Sequence, residues 1–347
     1  MSLQNVGTYD GGIFDGANFG LTAKSSGPIN TTDAAIANGR TLLISELEKR
    51  DTKIRQPLTS TTYFRDIPLI VGEGSWVDVI SSLEVDYGLT GGSESGPVSA
   101  SNANDAPVIQ MKLGESVYKA HQFRTYIRIG IIDAQRSNYI GRPLDQMLTN
   151  GVRLAYDKHM DANAYIGIQK YGSTGLVNNP NVIKSGVVSG NGGNTTWQQK
   201  TPEEILRDIN KAITDVWEAS ANDLRALPNH LVIPHQQFSY IATTQLSPHA
   251  DKTILSFLQE NNISKVNGGN LVIGSTAWCK NAGAGNTDRM VVYVHDDEFL
   301  KIEELAGLSR LMTQPNITTA TFDTLFAANI SELQILYKET IQYFDGI

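Results

Sequence analysis

The chain has 347 residues, 28 basic and 36 acidic side chains for a net charge of -8, and 40% apolar residues, so at roughly 75% burial on folding it needs neither disulfides nor a metal to form one or two domains. A single cysteine, Cys279, excludes an intramolecular disulfide and a cysteine-type zinc site and suits a reducing compartment; the first residues carry no signal-peptide pattern, and no apolar run approaches the ~20 residues of a membrane span. Charged residues make up 18% of the chain, below the roughly 25% usual for soluble domains, and an uncharged surface suits contact with other protein subunits.

Residues 1 to 40 hold seven glycines and no sustained period, which predicts an extended arm. A short helix is expected next, capped by Thr41, striped by Leu42, Leu43 and Leu47, and closed by Asp51 and Pro57. Residues 63 to 71 then lead into strand-like sequence. From Leu83 to Tyr87, apolar Leu83, Val85 and Tyr87 alternate with Glu84 and Asp86, the period of a strand with one solvated face. Ile109, Met111 and Leu113 alternate with Gln110 and Lys112 in the partner strand, and Phe123, Thr125, Ile127, Ile129 and Ile131 continue the pattern downstream. The Gly/Ser-rich tip at residues 88 to 106 completes a long two-stranded arm. Because an isolated hairpin is marginal in water, a neighbouring subunit is the economical support; the alternative is an ordinary hairpin at a sheet edge.

The segment from Lys119 to Arg142 carries five basic residues (Lys119, Arg124, Arg128, Arg136, Arg142) against one acid, Asp133, while Lys200 to the end carries 11 basic residues against 18 acids. Opposite-sign regions in one chain allow head-to-tail complementarity between copies; solvated faces that happen to differ are the other explanation. An acidic overall balance and the lack of a basic cluster interleaved with aromatics exclude a basic nucleic-acid recognition domain.

A long helix is predicted over residues 143 to 168, with Pro143 in its first turn, Gly172 marking its end, and an apolar face of Leu144, Met147, Leu148, Val152, Ala155, His159, Ala162 and Ile166. At 1.5 Å per residue it would span about 39 Å. A turn at Gly175, Leu176, Val177, Asn178, Asn179, Pro180 follows. Thr201 and Glu204 form a capping-box pattern opening a helix with Ile205, Ile209, Ala212, Ile213 and Val216 on its apolar face. Short strands at 231 to 233, 271 to 273 and 290 to 294, with helices through Phe238 and Leu258 between them, describe an α/β region of about 100 residues. The tail carries further strand-like stretches, notably from Ser331 to Tyr343.

Chemistry is mostly absent. No P-loop, dinucleotide fingerprint or nucleophile elbow occurs; Gly283, Ala284, Gly285 reads as a turn. His230 and His235 flank a strand without a ligand partner, His295 to Glu298 reads as an acidic turn, and Cys279 as an inert buried thiol. No catalytic residue, cofactor or metal is expected.

This order of elements (arm, long two-stranded loop, basic strand, spine helix, the Gly-Leu-x-Asn turn at Gly175, Leu176, Val177 and Asn178, α/β region, return strand) resembles the major capsid proteins of tailed bacteriophages, over nearly the whole chain. The resemblance implies the α+β Hong Kong 97-like capsid fold, with an N-terminal arm at 1-66, an extended loop at 67-130, a peripheral domain at 131-200 with its spine helix, an axial α/β domain at 201-300, and a return to the peripheral domain at 301-347. It implies a shell of hexamers and pentamers enclosing double-stranded DNA without sequence-specific binding, assembled in the bacterial host cytoplasm as part of a virion, with a scaffolding protein, a portal and decoration proteins as partners and no membrane. The candidate intersubunit contacts are Arg124, Arg128, Arg136, Arg142, Leu83, Val85, Tyr87, Ile109 and Met111. The related encapsulin shells, which enclose a cargo enzyme, are the alternative, and an α/β enzyme is a remote one. Two departures from the family pattern carry expectations: residues 88 to 106 contain no lysine, so cross-linking at the loop tip is not expected, and only about 40 residues stand where some members carry a scaffolding domain of about a hundred, which implies either a separate scaffold or a chain that is already processed.

Overall fold

A computed structural model describes residue 57 and residues 59–72, 74–90, 108–139, 144–247 and 251–347. The chain divides into two compact units, Met1–Leu58 and Thr59–Ile347, and the architecture below is that of the second. The expected arm, the Thr41 helix, most of the loop tip, Pro143 and Arg142 lie outside the described residues.

A single helical turn, α1 (Tyr63–Asp66), leads into β1 (Leu69–Val71). Strand β2 (Val79–Thr90) pairs antiparallel with the first half of β3 (Val108–Gly130). The two alternating stretches read separately in the sequence are thus one strand of 23 residues. Its second half pairs with β9 (Thr321–Ser331), which pairs with β8 (Leu300–Asn316); β8 also takes β1 in parallel and the short β10 (Gln334–Ile335). The sheet order is β1-β8-β9-β3-β2, with β10 off that path on β8.

The alternation does not continue past Gly130. Residues Ile131–Tyr139 form helix α2, where the sequence pattern extended a basic strand to residue 142. Two features turn the chain there: the Ile131 N–H makes a last ladder-like bond to Ala320 O, and Asp133 folds back so closely that a Cβ at Gly130 would sit 2.8 Å from its carboxylate. In the tail, Ser331 to Tyr343 is not one strand. It contains the end of β9, β10, a 3-10 turn at Lys338–Thr340 and the start of β11 (Ile341–Asp345).

The spine helix is α3 (Leu144–Ile166). It ends at Gly167, in the left-handed region at φ 73°, whose N–H reaches back to Ala162 O and Asn163 O; Gly172 instead closes the following 3-10 turn. The buried stripe runs through Val152, Tyr156, Met160, Ala164 and Tyr165, whereas Met147 and Ala155 of the expected stripe are exposed. The stripe is displaced because the helix meets two partners. Its middle packs on β3 and β9 (Val152 with Ile127 and Phe326), and its C-terminal turns enter the core shared with the second sheet.

The second sheet has the order β4-β11-β7-β5-β6, from β4 (Ile183–Gly186), β5 (His230–Ile233), β6 (Val272–Ser275), β7 (Arg289–Tyr293) and β11. Strands β4 and β11 lie outside the expected 201-300 segment yet are hydrogen-bonded into its sheet. Helix α4 (Pro202–Ala219) opens with the expected capping box: Glu204 N–H donates to the Thr201 hydroxyl at 3.4 Å and Thr201 N–H to the Glu204 carboxylate at 3.0 Å. Its Ile205, Ile209, Ala212, Ile213 and Val216 are fully buried against this sheet's core. Helices α5 (His235–Thr243), α6 (Ile254–Glu260) and α7 (Ile263–Val266) complete the region. Gly283 to Gly285 make the expected turn, and Cys279 is buried, its thiol held protonated by loss of solvent. Among the described residues no helix is long and apolar enough to cross a membrane.

Candidate assembly surfaces

The antiparallel register of β2 and β3 decides which side chains share a face. Val85 lies opposite Leu113 and Tyr87 opposite Met111, so Leu83, Val85, Tyr87, Ile109, Met111, Leu113 and Val117 project from one side of the hairpin. All are exposed, Leu83 at 73% and Tyr87 at 69%. The other side is polar: Ser116 donates to the Glu84 carboxylate at 2.6 Å, and Tyr118 donates from its hydroxyl to Ile335 O at 2.9 Å. That side lines a cleft of about 460 Å³ closed by residues 335–339. The hairpin therefore turns its polar face toward its own subunit and its apolar face outward.

Strand β3 makes the asymmetry plain. Its odd-numbered residues all point to one side. Beyond residue 120 that side carries Phe123, Thr125, Ile127 and Ile129, and the spine helix covers it, with Tyr156 and His159 against Phe123 and with Val152 and Leu148 against Ile127. Before residue 120 the same side carries Ile109, Met111, Leu113 and Val117, with Glu115 and Lys119 between and beyond them, and no helix of the described residues lies over it. One strand face, apolar but for Glu115, Lys119 and His121, is thus half covered and half bare. Fully covering a Leu, Met or Val side chain is worth about 1.5–3 kcal/mol.

The even-numbered residues of β3 form a second open face. Tyr126, Leu325 and Met312 align across β3, β9 and β8. Arg128 forks onto Asp323 with both bonds at 2.9 Å and lies over the Tyr126 ring, so this pair is closed within the chain, and the ion pair holds the Asp323 carboxyl below its ordinary range. Among the described residues Arg124 is bonded only within its own strand, through its Nε to Gln122 Oε1 at 3.0 Å. Arg136 is exposed on α2. The basic candidates therefore divide into one internally neutralised residue, Arg128, and two outward-facing ones, Arg124 and Arg136.

Two structural centres anchor the spine helix; the first had no clear signal in the sequence, and the second stood there as a motif whose packing role was not legible. At the first, Asp161 of the spine helix accepts Thr62 N–H at 2.7 Å and Tyr63 N–H at 3.1 Å with one oxygen and Trp278 Nε1–H at 2.6 Å with the other. Beside it, buried Asp66 accepts the Arg65 guanidinium and the Tyr165 hydroxyl, while the Tyr293 hydroxyl donates to Asp66 O. These bonds tie the entry at residues 62–66 to the spine helix and the second sheet. An aspartate in a helix reads as solvated from sequence alone, and only its neighbours show otherwise.

The second centre is the Gly-Leu-x-Asn turn. Leu176 N–H donates to Ala164 O at 2.9 Å and Val177 N–H to Tyr165 O at 3.0 Å, while Asn178 donates to Ile166 O and accepts Gly175 N–H, both at 2.7 Å. These residues satisfy the carbonyls that the C-terminus of the spine helix leaves open.

A family model described as Major capsid protein matches residues 97–347. Among solved structures, the capsid of Myoviridae phage XM1 superposes with a TM-score of 0.72 at 15% identity over 87% of this chain and 98% of that one. The capsid of a native GTA particle gives a TM-score of 0.60 at 12% identity, covering 91% and 99%, and Microbacterium phage Oxtober96 gives 0.58 at 11%, covering 90% and 99%. No curated protein matches the sequence. These likenesses establish the Hong Kong 97-like fold, with its mixture of helices and strands.

Proposed function

The chain belongs to the major capsid protein family, and from that premise we propose that its copies close a tailed-phage head of hexamers and pentamers around double-stranded DNA by laying the bare face of the β2–β3 hairpin on a neighbouring subunit. Its role is structural: it is a building block of a head shell. The observation that supports the hairpin contact is the half-covered apolar face of β3, since a row of exposed Ile109, Met111, Leu113 and Val117 beside Leu83, Val85 and Tyr87 is costly in a free monomer and suits an interface core. In this reading the region around β5, β6 and β7 sits near the capsomer centre and the spine helix toward its periphery. A scaffolding protein, a portal and decoration proteins are the further partners, the host cytoplasm is the place of assembly, and no catalytic step is assigned.

Electron microscopy of the expressed chain, with and without co-expressed scaffold, tests this. Closed particles are expected, and particles from infected cells should contain DNA; a protein cargo instead would favour the encapsulin alternative, and discrete monomers under every condition would overturn the shell assembly.

The basic surface has its own test. Arg124→Glu should lower particle yield while the melting temperature of the unassembled chain stays unchanged, because among the described residues Arg124 holds nothing beyond Gln122 of its own strand. Arg128→Glu is a poorer probe, since it would set two acids side by side at Asp323. Normal yield of Arg124→Glu particles would remove Arg124 from the contact.

A further inference from the structure

Four of the six histidines stand in two pairs, His230 buried and His295, His121 and His159 half-buried, and neither pair has a place in the assembly surfaces above. We infer that the two pairs form an acid-sensitive lock that holds the spine helix and the entry segment against the two sheets, closed while the imidazoles are neutral and loosened when they take up protons.

The first pair lies beside the Asp66 centre. His230, on β5, is 5% exposed, and His295 follows β7. Their rings stack at 4.6 Å with 24° between planes, and Tyr293 lies against His230 at 5.4 Å. The Nε2 atoms of both are buried and make no hydrogen bond. The groups that face them are Arg65 and Asp66 of α1, Tyr293 of β7 and Asp296 of the turn after it. Asp66 is the nearest acid, 3.8 Å from His230 Nε2, but its oxygens already accept the Arg65 guanidinium and the Tyr165 hydroxyl. A proton on this pair would find the Arg65 backbone and the Asp66 carboxylate in its favour, but it would enter a desolvated site against a second imidazole and near the Arg65 cation, and these opposing effects dominate.

The second pair joins the long strand to the spine helix. His121 of β3 stacks on Tyr171 at 4.9 Å and 16°, and His159 of α3 lies against Phe123 at 5.2 Å. His121 Nε2 is again buried and unbonded. Lys119 of β3 opposes a charge on His121, Glu332 at the end of β9 favours it, and His121 itself opposes a charge on His159. Both pairs sit where elements distant in sequence meet: β3 with α3, and α1 with β5 and β7.

Burial is the main cause that lowers all four imidazoles below their ordinary range, with His295 adding to the effect on His230, which falls to about 4. The sign follows from linkage. A histidine whose folded value lies below the unfolded ~6.5 leaves stability intact above pH 6.5 and removes it progressively as pH falls toward the folded value, because the unfolded chain binds the proton first. For His230 alone the loss approaches a hundredfold in the folding equilibrium, on the order of magnitude, by pH 4.

The full chain tests this by its thermal midpoint from pH 8 to pH 4, read by tryptophan fluorescence, since Trp278 is bonded to Asp161 beside the first pair. The wild type should lose stability between pH 6.5 and 4. The paired variants His230→Gln/His295→Gln and His121→Gln/His159→Gln should each flatten that slope, because glutamine does not titrate. Slopes equal to wild type in both would overturn the lock. If either variant fails to fold at pH 8, histidine NMR of the wild type decides: imidazoles that protonate well below pH 6.5 support the lock, and four ordinary titrations near 6.5 overturn it.

Discussion

The double variant Tyr87→Ser/Leu113→Ser should form no closed particles while its unassembled chain melts within about 2 °C of the wild type. Both side chains stand on the bare face of the hairpin and are largely exposed in the free subunit, so their removal withdraws nothing from the core. Surface substitutions of this kind change stability by about 0.5 kcal/mol or less. In a covered interface each side chain is worth about 1.5–3 kcal/mol, so the pair withdraws roughly 3–6 kcal/mol from every subunit contact, a factor of about 10² to 10⁴ in its association constant. A shell repeats that contact in every subunit, and the loss compounds. Particle yield by sedimentation, alongside the melting curve of the unassembled chain, reads both halves of the prediction. Wild-type yield would show that the apolar face is not an interface; a matching drop in melting temperature would show that it serves the subunit's own fold.

A second substitution acts inside the subunit. Gly175→Ala should cost at least about 3 kcal/mol, lowering the melting temperature by roughly 10 °C or leaving the protein insoluble. A Cβ at Gly175 would lie 2.3 Å from the carbonyl carbon of Tyr165 and 2.4 Å from Ile166 N. Both are backbone atoms of the spine helix, so no side-chain rotation relieves the clash. Moving the turn away would break the Leu176–Ala164 and Val177–Tyr165 hydrogen bonds and lift Leu176 and Val177 from the core. The control is Gly172→Ala, at φ +74° with nothing within 4 Å of its Cβ; it carries only the left-handed backbone penalty of about 1 kcal/mol. Guanidinium unfolding of the two variants separates the effects, and equal costs would overturn the close-packing account of the turn.

These two sites show how far the amino-acid pattern reaches. The alternation at Leu83 to Tyr87 and Ile109 to Leu113 predicts a two-stranded element with one apolar face, and the register brings those residues together on that face. The Thr201–Glu204 capping box and the buried face of α4 also follow from spacing alone. Each of these features depends on residues within a few positions of one another, where the geometry of a strand or a helical turn leaves little choice. The Gly175 turn is visible in the sequence as a motif, but its meaning is not, because the atoms that demand glycine belong to the backbone of a helix ten residues away.

The misread elements have the same origin. Gly130 and Ile131 fit a continued strand by composition, and the meeting of Ile131 with Ala320 at the β8–β9 turn, together with Asp133 folding back on Gly130, sends the chain into α2. The spine-helix stripe is displaced from its periodic position because two separate cores share the helix. Asp66, Asp161 and His230 are polar residues whose burial depends on partners about 100 to 230 positions away.

What the sequence by itself determined is the identity and order of the elements with strong local periods, the apolar face of the hairpin, and, through its low charge and the order of those elements, the resemblance to a shell protein. Tertiary structure alone decided which half of the β3 face the spine helix covers, which arginine is already neutralised by Asp323, and which histidines lie in pairs. Coverage and pairing are set by contacts between residues far apart in the chain, and a local period carries no information about what will pack against it.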